Sequence, residues 1–286
     1  MKRIGIIGGS GLYQLDGVEI LEEKTLKTPF GDPSDSCILA KLGDKEIVFL
    51  PRHGRKHAVS PSDINYRANI FAFKLLDVGQ ILSVSAVGSL KEEIKPMDFL
   101  IPDQFLDRTR RQNQSFFGQG LVAHVSLAEP VCPVLTGILK QAAEKCGVTV
   151  HFGGTYVNME GPQFSTYAES SLYRSWNMDI IGMTNMTEAR LAREAEICYA
   201  TLAAVTDYDC WRESEADVSV EIVMDNLRKN VFNSKAILKK AIEMIDPGKS
   251  CTCQEALKFS LVTGPESVPE QIKKDLKPII GRYMDR

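Results

Sequence analysis

Residues 205–211 read "VTDYDCW" and set two carboxylates, Asp207 and Asp209, two positions apart at the end of an apolar run. In an extended segment both side chains point to the same side. Carboxyls placed so close raise the pKa of at least one, which then carries a proton at neutral pH and can act as a general acid. Calcium ligation or a polar turn is the alternative reading, although D-x-D alone lacks the further ligands of a calcium loop.

Three other stretches offer anion-binding chemistry. "IGIIGGSG" (4–11) breaks an apolar run into glycines. A dinucleotide fingerprint needs G-x-G-x-x-G opening a helix, and the following "LYQLDG" has no helical start. A P-loop needs a lysine after the glycines, and none follows. The turn is either a tight strand exit or a cradle in which backbone amides and the Ser10 hydroxyl meet a small oxyanion. In "PRHGRKH" (51–57), Arg52 can hold an oxyanion by two parallel hydrogen bonds and His53 adds a donor. The bland reading there is a solvated basic loop. His53 and His57 lack a carboxylate at suitable spacing, and no metal is expected. "SAVGSL" (85–90) repeats the pattern of small residues, glycine and hydroxyls. Hydroxyl and glycine turns plus one arginine make a cage for inorganic phosphate.

These groups need a scaffold. "CILAKLG" and "KEIVFLP" (37–51) read as paired strands around a Gly-Asp turn, and 65–79 as a helix ending in glycine. Residues 80–90 read as a buried strand, 98–107 as another, and 134–147 as an amphipathic helix. A strand pair or bent strand over 149–162, a helix over 166–177 and a short strand over 179–184 follow. Next come a helix over 186–196 with Thr184 or Thr187 at its cap, the longest central strand over 197–209, and a long helix over 218–245. The alternation predicts one α/β domain, a central mixed sheet with helices on both faces. Ser10, Arg52-His53, Ser85, Thr184 and Asp207 all fall where strands end, the position at which open α/β sheets bind ligands.

Composition narrows the partners. Lys plus Arg (34) nearly balances Asp plus Glu (37), so no general affinity for nucleic acid or an anionic membrane is expected. No apolar run approaches the roughly 18–20 residues of a membrane helix, and the amino terminus lacks a signal peptide's features. A soluble, cytoplasmic protein is expected. Seven cysteines without a C-x-x-C pair read mostly as reduced, packed thiols. Cys251 and Cys253 are the exception, close enough to form a bridge.

Taken together, "IGIIGGSGL", "TPFGDPSD", "RHGRKH", "NYRANI", "GSLKEEIKPMDFLIPDQFLDRT", "HVSLAEPVCP", "EGPQFST", "MTEARLAREAEICYATLA" and "TDYDCW" resemble the methylthioadenosine phosphorylase family, of the trimeric purine nucleoside phosphorylase class. The resemblance runs through nearly the whole chain. It implies a single domain over 1–286, a twisted mixed sheet flanked by helices, with a helical carboxyl-terminal extension from about 246. It implies a trimer or dimer of trimers that cleaves a purine nucleoside with inorganic phosphate as co-substrate and no other cofactor. Matched position by position, phosphate would be held by Ser10, Arg52, His53, Ser85, Ala86 and Thr184. Met183 would lie under the ribose, and Asp207 and Asp209 would meet the purine, with Asp207 as its proton donor. Phe164 and Ser165 would border the base, and His57 would join the substrate site. Val220 and Val223 would line an apolar 5' pocket, and His124 would reach into a neighbouring subunit's site.

Asp209 favours a 6-amino purine, because a carboxylate accepts from an amino group and opposes a 6-oxo group. Gly182 departs from the family pattern, which usually has asparagine before Met-Thr, and looks more like the 6-oxopurine or methylthioinosine branch. The intact "TDYDCW" favours adenine. The rivals are a non-catalytic purine nucleoside-binding protein and a nucleoside hydrolase.

Overall fold

In the computed structural model, residues 2–9, 12, 15–212 and 220–284 are described, without the side chains of 220–225 and 227. The first half of the chain runs β1 (Arg3–Gly8), β2 (Val18–Lys24), β3 (Cys37–Leu42), β4 (Lys45–Pro51), α1 (Tyr66–Leu75), β5 (Val78–Ser89), β6 (Phe99–Ile101) and β7 (Gln104–Asp107). The second half adds α2 (Pro133–Lys145), β8 (Val150–Phe152), β9 (Thr155–Asn158), α3 (Tyr167–Ser175), β10 (Ile180–Gly182), α4 (Asn185–Glu194), β11 (Cys198–Asp207) and α5 (Val220–Met244). Two 3-10 turns and the short helices α6 (Glu270–Asp275) and α7 (Lys277–Met284) close it.

The strands form one mixed sheet ordered β2-β3-β4-β1-β5-β10-β9-β7, with β11, β6 and β8 branching from β5. One core lies against α1, α4 and α7 and includes Phe71, Phe73, Leu191 and Ile280. The other lies against α2 and α5 and includes Leu135, Leu139, Ile237 and Ile242. The expected α/β layering is therefore present, with apolar strands sandwiched between helices. No helix among the described residues is long and apolar enough to cross a membrane.

β5 organises the sheet. At 12 residues it exceeds the 10 of β11, which was expected to be the longest strand. Its length reflects a change of neighbour: one edge pairs with β1 up to Ser83, then with β10 from Gly88. Between them, no described strand covers the edge that carries Ser85 and Ala86. β11 runs along the opposite edge, with a register shift between Val205 and Asp207.

Local chemistry accounts for other departures from expectation. α1 stops at Leu75, and Asp77 takes the left-handed turn (φ 55) that Gly79 was expected to supply; Gly79 belongs to β5. The strand read over 98–107 splits into β6 and β7 around Pro102, which has no amide to continue a ladder. β2 was not expected at all: it is a mostly exposed edge strand, "VEILEEK", whose charges hide its period. Cys251 and Cys253 do not bridge; all seven cysteines are free thiols.

Gly182 has a packing explanation. A Cβ built there would stand 2.0 Å from the Tyr156 hydroxyl and 2.6 Å from its ring, and that hydroxyl donates to Asn185 Oδ1 at 3.0 Å. Tyr156, fully buried on neighbouring β9, fills the space of a side chain at position 182. Gly182→Asn should therefore destabilise the protein by about 1–3 kcal/mol through overpacking. The added change Tyr156→Leu should recover part of that loss in chemical denaturation. An unchanged midpoint for Gly182→Asn alone would show that the two positions do not compete.

Candidate active site

Arg52 leaves the end of β4, its amide bonded to Gly8 O at 2.9 Å, and turns its guanidinium under the open edge of β5. There Nε and Nη2 grip the Glu188 carboxylate, Nη2 also donates to Ser83 Oγ at 2.6 Å, and Nη1 donates to Val84 O at 2.9 Å. Side-chain exposure is 3% for Arg52 and 0% for Glu188. Burial pulls against the arginine's charge, and Glu188 outweighs it, holding the guanidinium above its ordinary pKa. Tyr199 donates to Glu188 Oε2 at 2.8 Å. Asn185 Nδ2 donates to Ser83 Oγ at 2.9 Å and Thr201 Oγ1 at 2.8 Å, while its Oδ1 also accepts from Thr184 at 3.2 Å.

This corrects the expected role of Arg52. A two-pronged grip on an oxyanion is excluded, because the fork is spent on Glu188. The four bonds above use four of its five N–H groups, leaving one, on Nη1. Glu188, which the sequence reading missed, sits in the first turn of α4. A glutamate four residues after a helix-capping threonine has no signal beyond that spacing.

His53 also differs from expectation. Its Nδ1 faces Val59 O at 2.8 Å, and burial followed by the Arg52 charge lowers its pKa to about 4. The ring is neutral, Nδ1–H is committed to Val59, and Nε2 is an acceptor rather than a donor. The exposed His57 ring stacks on it at 4.5 Å. Ser85 Oγ, on the open edge of β5, is buried with no hydrogen-bond partner among the described groups. Thr184 caps α4 without using its side chain on the helix. Ser10 lies outside the described residues.

At the end of β11, the register shift lets Thr206 turn out of the ladder. Its hydroxyl lies 2.7 Å from Asp207 Oδ2 and 3.2 Å from Val87 O. Thr206 donates toward both the Asp207 carboxylate and the Val87 carbonyl, a bifurcated arrangement that ties the carboxyl to β5. Asp209 does not extend the strand as expected: its φ is 54, and its amide folds back to Asp207 Oδ1 at 2.8 Å. Asp209 has a raised pKa, caused first by burial and opposed by the Ser170 and Ser165 hydroxyls. Repulsion from Asp207, the cause expected from spacing, is not the source. Gly88 makes the room, since a Cβ there would meet Asp207 Oδ1 at 2.9 Å. Asn226 and Asn230 of α5 cap the last β11 carbonyls, Thr206 O at 2.6 Å and Val205 O at 2.9 Å.

Met183 follows β10, and its carbonyl accepts from Arg111 Nη2 at 2.7 Å. The same arginine bonds Glu160 O at 3.0 Å and Thr187 Oγ1 at 3.1 Å, a clamp the sequence reading also missed within the basic run 108–111. Ser165 adjoins the carboxylates, its carbonyl accepting from Cys210 Sγ at 3.4 Å. Phe164 is 40% exposed. His124 is exposed on a segment tied to the carboxyl-terminal tail through Ser260 O at 2.8 Å. The side chains of Val220 and Val223, at the start of α5, lie outside the described ones.

A family model described as the phosphorylase superfamily matches residues 3–243. The chain belongs to the phosphorylase superfamily. Among its relatives in that superfamily, the S-methyl-5'-thioadenosine phosphorylase of Koribacter versatilis is 51% identical over 280 residues, covering 98% of this chain and 96% of its own. A methylthioadenosine phosphorylase from an antarctic soil metagenomic library superposes with a TM-score of 0.93 at 47% identity, covering 97% of this chain and 98% of that one. A mutant adenosine/methylthioadenosine phosphorylase from Schistosoma mansoni, solved with methylthioadenosine, superposes with a TM-score of 0.85 at 35% identity, covering 95% and 100%. The superfamily architecture is thus the mixed sheet flanked by helices described above.

The Arg52–Glu188 pair yields a stability prediction. Arg52→Met leaves a buried, unpaired carboxylate and should cost about 3–5 kcal/mol, whereas adding Glu188→Leu should restore most of it. Urea unfolding of both variants checks this. A double variant no more stable than Arg52→Met would refute the buried-pair account.

Proposed function

We propose that this chain is an S-methyl-5'-thioadenosine phosphorylase, releasing adenine and 5-methylthioribose 1-phosphate. The observation that carries the proposal is the juxtaposition at one end of the sheet of an unpartnered Ser85 hydroxyl on an open strand edge and a protonatable carboxylate pair. Near-full-length relatives bearing that activity's name support it.

In this reading, phosphate sits on the free edge of β5. Ser85, the Ala86 backbone, the Thr184 region and the remaining Nη1 proton of Arg52 donate to it, and Ser10 completes the cage. Neutral His53 accepts a hydrogen bond from a phosphate hydroxyl through Nε2. A phosphate oxygen forms the new bond to the anomeric carbon as the bond to purine N9 breaks, through an oxocarbenium-like state. The electron pair leaves with the base, and Asp207 delivers its proton to N7. Asp209 accepts from the 6-amino group. Met183, held by Arg111, underlies the ribose, and Phe164, Ser165, His57, Val220 and Val223 border the nucleoside. No protein nucleophile is required: preorganised donors and position supply the catalysis.

The reading extends to assembly. His124, carried on an exposed segment, serves a neighbouring subunit's site in a trimer or dimer of trimers. The chain acts as one phosphorylase unit with an extension from about residue 246, in the cytoplasm, and needs no cofactor beyond phosphate. The 6-oxopurine alternative loses its main support, since Tyr156 explains Gly182 by packing.

Adenine should appear from methylthioadenosine only when phosphate is present, and inosine and methylthioinosine should be poor substrates. Turnover without phosphate would make the protein a hydrolase, and an inosine preference would overturn the role of Asp209. Asp207→Asn should lower kcat by about 10²–10⁴.

Thr206→Val, which removes the hydroxyl between Val87 and Asp207, should lower kcat several-fold and move the alkaline limb of its pH dependence, where the donated proton is lost. It should leave the KM for phosphate nearly unchanged. An unaltered pH profile would remove Thr206 from proton handling.

A further inference from the structure

Four thiols meet on the side of the sheet that packs α2 and α5. Cys132 is the N-cap of α2, Cys198 opens β11, and Cys251 and Cys253 flank the start of the first 3-10 turn. Their sulfurs all lie within 4.8 Å of one another, with Cys132 and Cys251 Sγ 3.6 Å apart. Cys132, Cys198 and Cys253 are buried, Cys251 is half-buried, and none is bridged. Metal–sulfur bonds of about 2.3 Å in a tetrahedron place sulfurs about 3.8 Å apart. The four thiols already stand close to that arrangement.

We propose that Cys132, Cys198, Cys251 and Cys253 bind a structural zinc ion. Soft thiolate ligands, tetrahedral spacing and a closed ligand set without an open coordination position match that ion. On binding, the thiol protons pass to solvent and four sulfur–metal bonds form. The resulting tetrathiolate carries excess negative charge. The amino terminus of α2, on which Cys132 sits, and Arg193, close enough to act on the Cys253 sulfur, offset it. A cleft of about 460 Å³ bordered by Gln80, Gln141 and Lys249 opens onto Cys132, Cys198 and Cys251 and gives the ion a route in. Sequence spacing hides the site because no C-x-x-C pair contributes; the ligands come from three separated segments.

The site's role is to fasten the carboxyl-terminal tail across the beginning of β11, the strand whose far end carries Asp207. Full-length protein purified under reducing conditions without chelator should contain about one zinc per chain by elemental analysis. Exchange with cobalt should give the intense visible bands and sulfur-to-cobalt charge transfer of a tetrahedral tetrathiolate. Cys253→Ser should abolish that spectrum and lower Tm, and Cys146→Ser, outside the cluster, should retain it. If Cys253→Ser fails to fold, the cobalt spectrum of the unaltered chain decides. Reduced protein that takes up neither ion overturns the proposal, as does a thiol count short by pairs because the cluster exists as disulfides.

Discussion

The buried ion pair of Arg52 and Glu188 is the constraint on which the rest of the site depends. A buried pair of this kind is stable only when nearly every remaining donor and acceptor is matched. Here Ser83, Tyr199 and the Val84 carbonyl complete the matching. Those groups come from β5 and β11, while Arg52 follows β4 and Glu188 belongs to α4. Satisfying one charge pair thus fixes how two central strands, an outer strand and a helix meet. Asn185 extends the same network to Tyr156 on β9 and to Thr184 at the helix cap. The uncovered edge of β5 is therefore built over a polar floor whose charges are already neutralised. Under the proposed function, that arrangement favours hydrogen bonding to phosphate over gripping it with a free cation.

A second constraint is topological. β5 gives one edge to β1, then to β10, which runs the opposite way. The change of partner leaves backbone donors of a central strand without a ladder, which in a buried sheet is tolerable only where a ligand or solvent reaches them. On the other edge, the shift of β11 at Thr206 turns the carboxylates toward the same end. Two irregularities on opposite edges of one strand bring the carboxylates and the uncovered edge to the same end of the sheet, where the proposed function puts acid and anion on either side of the bond to be broken.

Much of this was legible in the sequence. Apolar periodicity located most strands and helices, because their cores are buried, and the polar residues at strand ends include Arg52, which the structure ties to Ser83 and Glu188. The misses share a cause: they depend on partners distant in sequence. Glu188 gains its meaning from Arg52, Arg111 from the Met183 carbonyl, and Gly182 from Tyr156 on the next strand. β2 escaped because an exposed edge strand has no buried face to impose a period. The D-x-D pair was found for its spacing, yet Asp209 owes its raised pKa first to burial, which spacing does not encode.

The contrast between the two carboxylates follows from the backbone that carries them. Asp207 closes a strand, so its orientation is set by the ladder and by Thr206. Asp209 occupies a left-handed turn whose amide is tied back to Asp207, so moving one side chain moves the other. A leaving purine needs a proton at N7 and recognition at its 6-substituent, on adjacent parts of one ring. In the proposed function, a donor and an acceptor locked into a single turn meet both needs with one placement, and the same lock couples base selection to proton delivery. On that reading, a base that fails to satisfy Asp209 disturbs the carboxyl that must release its proton, so discrimination falls on turnover as well as on binding.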